Sequence, residues 1–210
     1  MQDLKDLIIS RVNSGPPINV WTAADFLDLG SRDAVDKALQ RLVATDSLRR
    51  VDRGLYDKPG YNRLTQNANA PNPRRVIDAV ARRDQVRILV DGMTAANDLG
   101  LTNAVPAKIV VHVDARLRPI QLGNLIISFR PTAASKLFWA GRPAMRLVQA
   151  LHWLRDTTDL PTLSAQVRAL LRRMPDADAV RADLADGMTT LPAWMQDFLR
   201  PLIDQGSTGS

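Results

Sequence analysis

Residues 31–63 read SRDAVDKALQRLVATDSLRRVDRGLYDKPGYNR, and the reading of the N-terminal fold turns on them. Ser31 is placed to cap a helix, its side-chain oxygen accepting an otherwise orphaned N–H of the first turn. Asp33 then lies near the positive end of the helix dipole. Val35, Ala38, Leu39 and Leu42 recur at helical spacing and form an apolar stripe, so Arg32, Asp36, Lys37, Gln40 and Arg41 project outward. After Thr45-Asp46-Ser47 come two strand candidates, 48–51 and 55–57, joined by Asp52-Arg53-Gly54. A Gly in so short a connection signals a hairpin. Arg49, Arg50, Arg53, Lys58 and Arg63 make the hairpin and its exit strongly basic.

Upstream, Leu4, Leu7, Ile8 and Val12 follow helical spacing until Gly15-Pro16-Pro17 stops them. A short extended piece follows at 18–20. Thr22 is expected to cap a second helix over 23–29, ending at Gly30. Three helices and a β-hairpin in this order form the winged helix-turn-helix pattern. In that architecture the third helix enters the major groove, and the hairpin lies along the backbone or minor groove. Arg can fork to guanine, Gln to adenine, and Lys can meet phosphate. The candidate DNA contacts are therefore Arg32, Lys37, Gln40 and Arg41 on the helix, and Arg49, Arg50, Arg53 and Lys58 on and behind the wing. Asp33 and Asp36 share the helix face and repel phosphate unless they pair with Arg32, Lys37 or Arg41. A solvated charged face explains one such helix, taken alone, better than DNA contact does, and winged folds also dock proteins. The basic hairpin directly after the capped helix favours DNA.

Downstream, 62–75 (NRLTQNANAPNPRR) has little to bury and is expected to be a linker or exposed crossing segment. It separates a first domain, 1–62, from a second, 76–205. A helix is expected to start over 76–81, with a buried strand at 86–90, a short helix at 94–99 and a strong strand at 108–113. Gly123-Asn124 suits the turn of a hairpin between 118–122 and 125–130. From Arg142 to about 203 the pattern is helical, broken at Pro161, Pro175, Gly187 and Pro192, and the final GSTGS is expected to be flexible. The expected class is α+β: a winged helix-turn-helix, a mixed α/β domain and C-terminal helices.

The chain of 210 residues carries 28 Lys plus Arg against 22 acids and has a formal net charge of +6. Such a surplus favours an anionic partner, nucleic acid first. Residues 1–75 hold 12 cations against 9 Asp, residues 76–147 hold 10 against 5, and residues 148–210 hold 6 against 8. The basic face is thus expected in the first two-thirds. Every acid is Asp and there is no Cys, which removes Glu catalysis, thiolate chemistry and disulfides. No apolar run approaches bilayer length, and MQDLKDLIIS, with two Asp, does not read as a secretory signal. The expectation is a cytoplasmic protein with no membrane contact, as a monomer or weak dimer.

No GxSxG, Walker A or GxGxxG pattern occurs, and the two histidines are far apart. His112 and Asp114 stand two apart in a strand and could pair on one face, although a structural role is expected for both. His152, beside Leu151 and Trp153, is expected to be packed. Asp91, Asp114 and Lys108 could cluster as a metal-dependent nuclease site, but Asp91 is better placed to cap a helix and Asp114 to begin a turn. No enzyme activity, metal or cofactor is expected.

Four segments in order, GLYDKP (54–59), DGMTAANDLGL (91–101), VPAKIVVHVD (105–114) and GNLIISFRP (123–131), resemble the AbiEi-type antitoxins of bacterial type IV toxin–antitoxin systems and their regulator-like relatives. The resemblance runs from the first helix to about residue 155. It implies a winged helix domain that represses its own operon at inverted repeats of double-stranded DNA. It also implies an α/β domain that counters a nucleotidyltransferase-like toxin. No neutralising residue can be carried over singly; the basic middle third, with Arg82, Arg83, Arg87, Lys108, Arg116, Arg118 and Arg130, is the implied region. A protein-interaction module without specific DNA binding is the alternative.

Overall fold

The computed structural model describes residues 3–16, 19–62, 64, 66–104 and 106–204. Arg63 and the GSTGS tail lie outside the described residues. Within them the chain is a mixed α+β protein with eight α-helices and three sheets. It divides into two compact units: 1–86 with 119–127, and 87–118 with 128–210.

In the first unit, α1 (Leu4–Ser14) starts at Asp3, whose carboxylate accepts the Lys5 N–H, and stops where Gly15 turns extended. β1 (Val20–Trp21) leads into a 3-10 turn over Ala23–Phe26, where the sequence predicts a helix as far as residue 29. Too few residues lie before Gly30 to offset the cost of helix nucleation. The turn closes instead with short bonds, including Leu29 N–H to the Phe26 carbonyl at 3.0 Å. Thr22 is the N-cap, as expected, and shares a capping box with Asp25, whose Oδ2 accepts the Thr22 N–H and hydroxyl at 2.7 and 3.0 Å. Next comes α2 (Arg32–Ala44), then the hairpin β2 (Arg49–Asp52) and β3 (Leu55–Asp57), with Gly54 at φ 70°. That left-handed conformation is one glycine adopts at no steric cost. β1 adds to the hairpin in the order β1-β3-β2, all antiparallel. Ile8, Phe26, Val35, Leu39, Leu42 and Leu48 close the core beneath it.

The expected linker is more structured than its composition suggests. It holds a small hairpin of β4 (Tyr61–Asn62) and β5 (Asn67–Ala68), and Asn72 then caps α3 (Pro73–Asp84) through the Arg75 N–H. α3 buries Val76, Ile77, Ala79 and Val80 and belongs to the first unit, packing near β1 and β3. It lies with the first unit rather than the expected second domain, because an amphipathic helix does not announce which sheet it covers.

In the second unit, β6 (Ile88–Val90) pairs antiparallel with β7 (Lys108–Val113), and α4 (Gly92–Asp98) runs between them. Asp91 caps α4 as expected, accepting the Thr94 N–H at 3.0 Å. Gly92 lies so close to α5 (Met145–Leu154) that a Cβ there would fall 2.6 Å from that of Trp153. The hairpin of β8 (Ile120–Leu122) and β9 (Leu125–Pro131), whose 119–127 portion belongs to the first unit, turns at Gly123, φ 62°. The helices α6 (Leu160–Arg173), α7 (Ala177–Gly187) and α8 (Ala193–Asp204) follow α5. No described helix is long and apolar enough to cross a membrane.

Candidate nucleic-acid interface

The first unit builds its basic surface on α2 and the hairpin. Ser31 Oγ accepts the Ala34 N–H at 3.4 Å, and Val35, Ala38, Leu39 and Leu42 turn inward. Arg32, Lys37, Gln40 and Arg41 are exposed, as the spacing predicts. The repulsion expected from Asp36 is answered by Arg32, whose Nε lies 2.9 Å from Asp36 Oδ2. Lys37, Gln40 and Arg41 make no side-chain hydrogen bond or ion pair with a described residue, which leaves their donors open to a ligand.

The hairpin cations divide into two kinds. Arg53 at the tip is exposed, and Arg50 is exposed with only a long 3.4 Å contact from Nε to the Asp52 carbonyl. Arg49 is spent inside the fold. Its Nε and Nη2 donate to the two oxygens of Asp57 at 2.9 and 2.5 Å, and its Nη1 donates to the Asn69 carbonyl at 2.8 Å. Asp57 is almost fully buried, so Arg49 neutralises a carboxylate before it can meet a phosphate. The register could have shown this, because Arg49 stands directly opposite Asp57 and cross-strand neighbours of opposite charge pair. Lys58 is exposed and held 2.6 Å from Asn13 Oδ1. Tyr56 is buried in the core cluster, so its ring fastens the hairpin to the unit.

Of the middle-third cations, Arg82 and Arg83 leave the expected partner region, because α3 carries them into the first unit. Arg82 Nη2 donates to the Val20 carbonyl at 3.0 Å, and Arg83 donates to the Arg53 carbonyl at 2.6 Å and to Asp84. They tie α3 to β1 and to the hairpin tip. Arg87, Lys108, Arg116 and Arg118 are exposed in the second unit, and their side chains make no hydrogen bond or ion pair with a described residue.

Of the residues weighed for catalysis, His112, Asp91 and Asp114 make structural bonds. His112 Nδ1 lies 3.0 Å from Thr132 Oγ1 rather than on Asp114, whose carboxylate accepts the Arg87 N–H at 3.0 Å. Asp91 also accepts the Val110 N–H at 3.0 Å. Among the described residues, no group of three or more His, Asp, Glu or Cys is placed to hold a metal ion. His152 is only partly packed: it is exposed, yet stands edge-on to Trp194 at 6.5 Å between ring centroids, and burial pushes its imidazolium below the ordinary range.

No curated protein matches the chain. The crystal structure of the RV2827C protein from Mycobacterium tuberculosis is similar at 17% identity and a TM-score of 0.44, over 99% of this chain and 78% of that one. A family model matches residues 8–179, which span most of both units, and on that match the chain belongs to DUF6088, a family of unknown function.

Proposed function

We propose that this protein is a DNA-binding regulator of antitoxin type, acting in the cytoplasm, whose N-terminal unit works as a winged helix-turn-helix and represses its own operon. The observation that carries the reading is the Ser31-capped helix α2, which offers unpaired Lys37, Gln40 and Arg41 in the same unit as a hairpin with exposed Arg50 and Arg53. Arg49 drops out of the proposed contacts, and Arg32 reaches DNA only by sharing its guanidinium with Asp36. Fluorescence anisotropy on the upstream region of its operon tests the proposal. Arg41→Ala is expected to cost about 1–3 kcal/mol at one base position and to relax selectivity there. Arg53→Ala is expected to weaken all sequences alike and to flatten the salt slope by about 0.9. Binding without sequence selectivity, or an unchanged slope in Arg53→Ala, refutes the corresponding half of the reading.

The resemblance to AbiEi-type antitoxins extends the proposal to a nucleotidyltransferase-like toxin partner. It is supported by the exposed, unpaired Arg87, Lys108, Arg116 and Arg118 of the second unit. Changing all four to Gln in the full chain is expected to abolish rescue from a co-expressed neighbouring toxin while DNA affinity stays within about twofold. Rescue by this variant at the native level would remove these four residues from the proposed interface.

A further inference from the structure

The second unit contains a cleft of about 450 Å³ lined by Leu89, His112, Arg130, Thr132, Lys136 and Gln149, among others. Its charge is one-sided. Arg130 and Lys136 are exposed, neither side chain has a hydrogen-bond or ion-pair partner among the described residues, and no described lining residue carries a carboxylate. The acid whose field reaches His112 is Asp91, and its oxygens are already taken by Thr94 and the Val110 N–H.

Two polar side chains of the cleft, His112 and Thr132, hold each other in place. Thr132 Oγ1 lies 3.1 Å from the Arg130 carbonyl and 3.0 Å from His112 Nδ1, and so joins the ring to the strand end. Burial, and then the positive field of Arg130, push the His112 imidazolium below its ordinary range, against a smaller opposing effect of Asp91. A bound anion offsets the field of Arg130.

We propose that this cleft binds a small organic phosphate of mononucleotide size. A guanidinium fork and an ammonium lining one cleft suit phosphate oxygens. Thr132, His112 and Gln149 add neutral polar contacts, and Leu89 supplies an apolar wall for the organic part. The volume falls in the range of small-ligand sites. This site rests on second-unit residues alone and stands or falls independently of DNA binding.

Calorimetric titration of the full chain with inorganic phosphate and with uridine 5′-monophosphate tests it. One saturable site is expected, tighter for the nucleotide than for phosphate. Arg130→Gln and Lys136→Gln are each expected to raise Kd about 10-fold or more, the loss of a charge-assisted bond. Arg172→Gln, an exposed cation of α6 outside the cleft, is expected to leave Kd unchanged. Equal affinity for the two probes overturns the organic-phosphate assignment. No saturable binding of either probe up to about 10 mM, or an equal loss in Arg172→Gln, overturns the site itself.

Discussion

Arg49→Ala is expected to destabilise the N-terminal unit by about 3–5 kcal/mol, as removal of one partner from a buried ion pair does, whereas Arg53→Ala, four residues away, is expected to change stability by less than about 0.5 kcal/mol. The asymmetry comes from Asp57, whose side chain is 6% exposed while that of Arg49 is 29% exposed. Asp57 lies on the central strand, opposite both Val20 of β1 and Arg49 of β2. Without the guanidinium its carboxylate stays desolvated with no counter-charge. Arg49→Lys is expected to recover only part of the loss, because an ammonium cannot bond both oxygens and the Asn69 carbonyl from one rigid fork. Urea titration followed by far-UV circular dichroism measures the change. A midpoint in Arg49→Ala as high as that in Arg53→Ala would return Arg49 to the list of proposed phosphate contacts.

The contrast between these two arginines marks how far the sequence carries. Local signals held up well: the Ser31 cap, the apolar stripe of α2, the glycine turns at 54 and 123, and the strand over 108–113 all depend on neighbours within a few residues. What escaped depends on partners distant in sequence. β1 finds β3 across more than thirty residues, and Arg82 finds the Val20 carbonyl 62 residues away. A charge count treats Arg49, Arg53 and Arg83 as equal cations; only the register and the packing of α3 separate the one at the tip from those consumed by the fold. Thr132, Lys136 and Gln149 were missed for the same reason, because nothing in the RPTAASK segment or in α5 indicates that they border one cleft with His112.

In the second unit the expected result is that Arg142→Ala lowers the melting temperature, and that its two carboxylate partners contribute very unequally. Arg142 Nη2 lies 2.6 Å from Asp183 Oδ1 and 2.5 Å from Asp186 Oδ2, and these two partners hold the guanidinium pKa above its ordinary value, Asp186 first. The guanidinium carbon also sits 4.5 Å from the centroid of the half-exposed Phe138 ring and 5.4 Å from that of Trp139. Asp183 is 9% exposed and accepts the Ala144 N–H at 2.9 Å at the start of α5. Losing Arg142 therefore strands a charge on the very group that anchors α5. Asp186 is 71% exposed, so water replaces its partner at little cost. Asp183→Asn is accordingly expected to destabilise strongly, and Asp186→Asn by no more than about 1 kcal/mol, the range of exposed pairs. Arg142→Lys is expected to fall between wild type and Ala, since the ammonium keeps charge but loses the fork and the stacking. Thermal unfolding of the four variants gives the order directly. Equal losses from Asp183→Asn and Asp186→Asn would show that contact distance sets these energies; the opposite is expected, because the shorter contact is the one that water can replace.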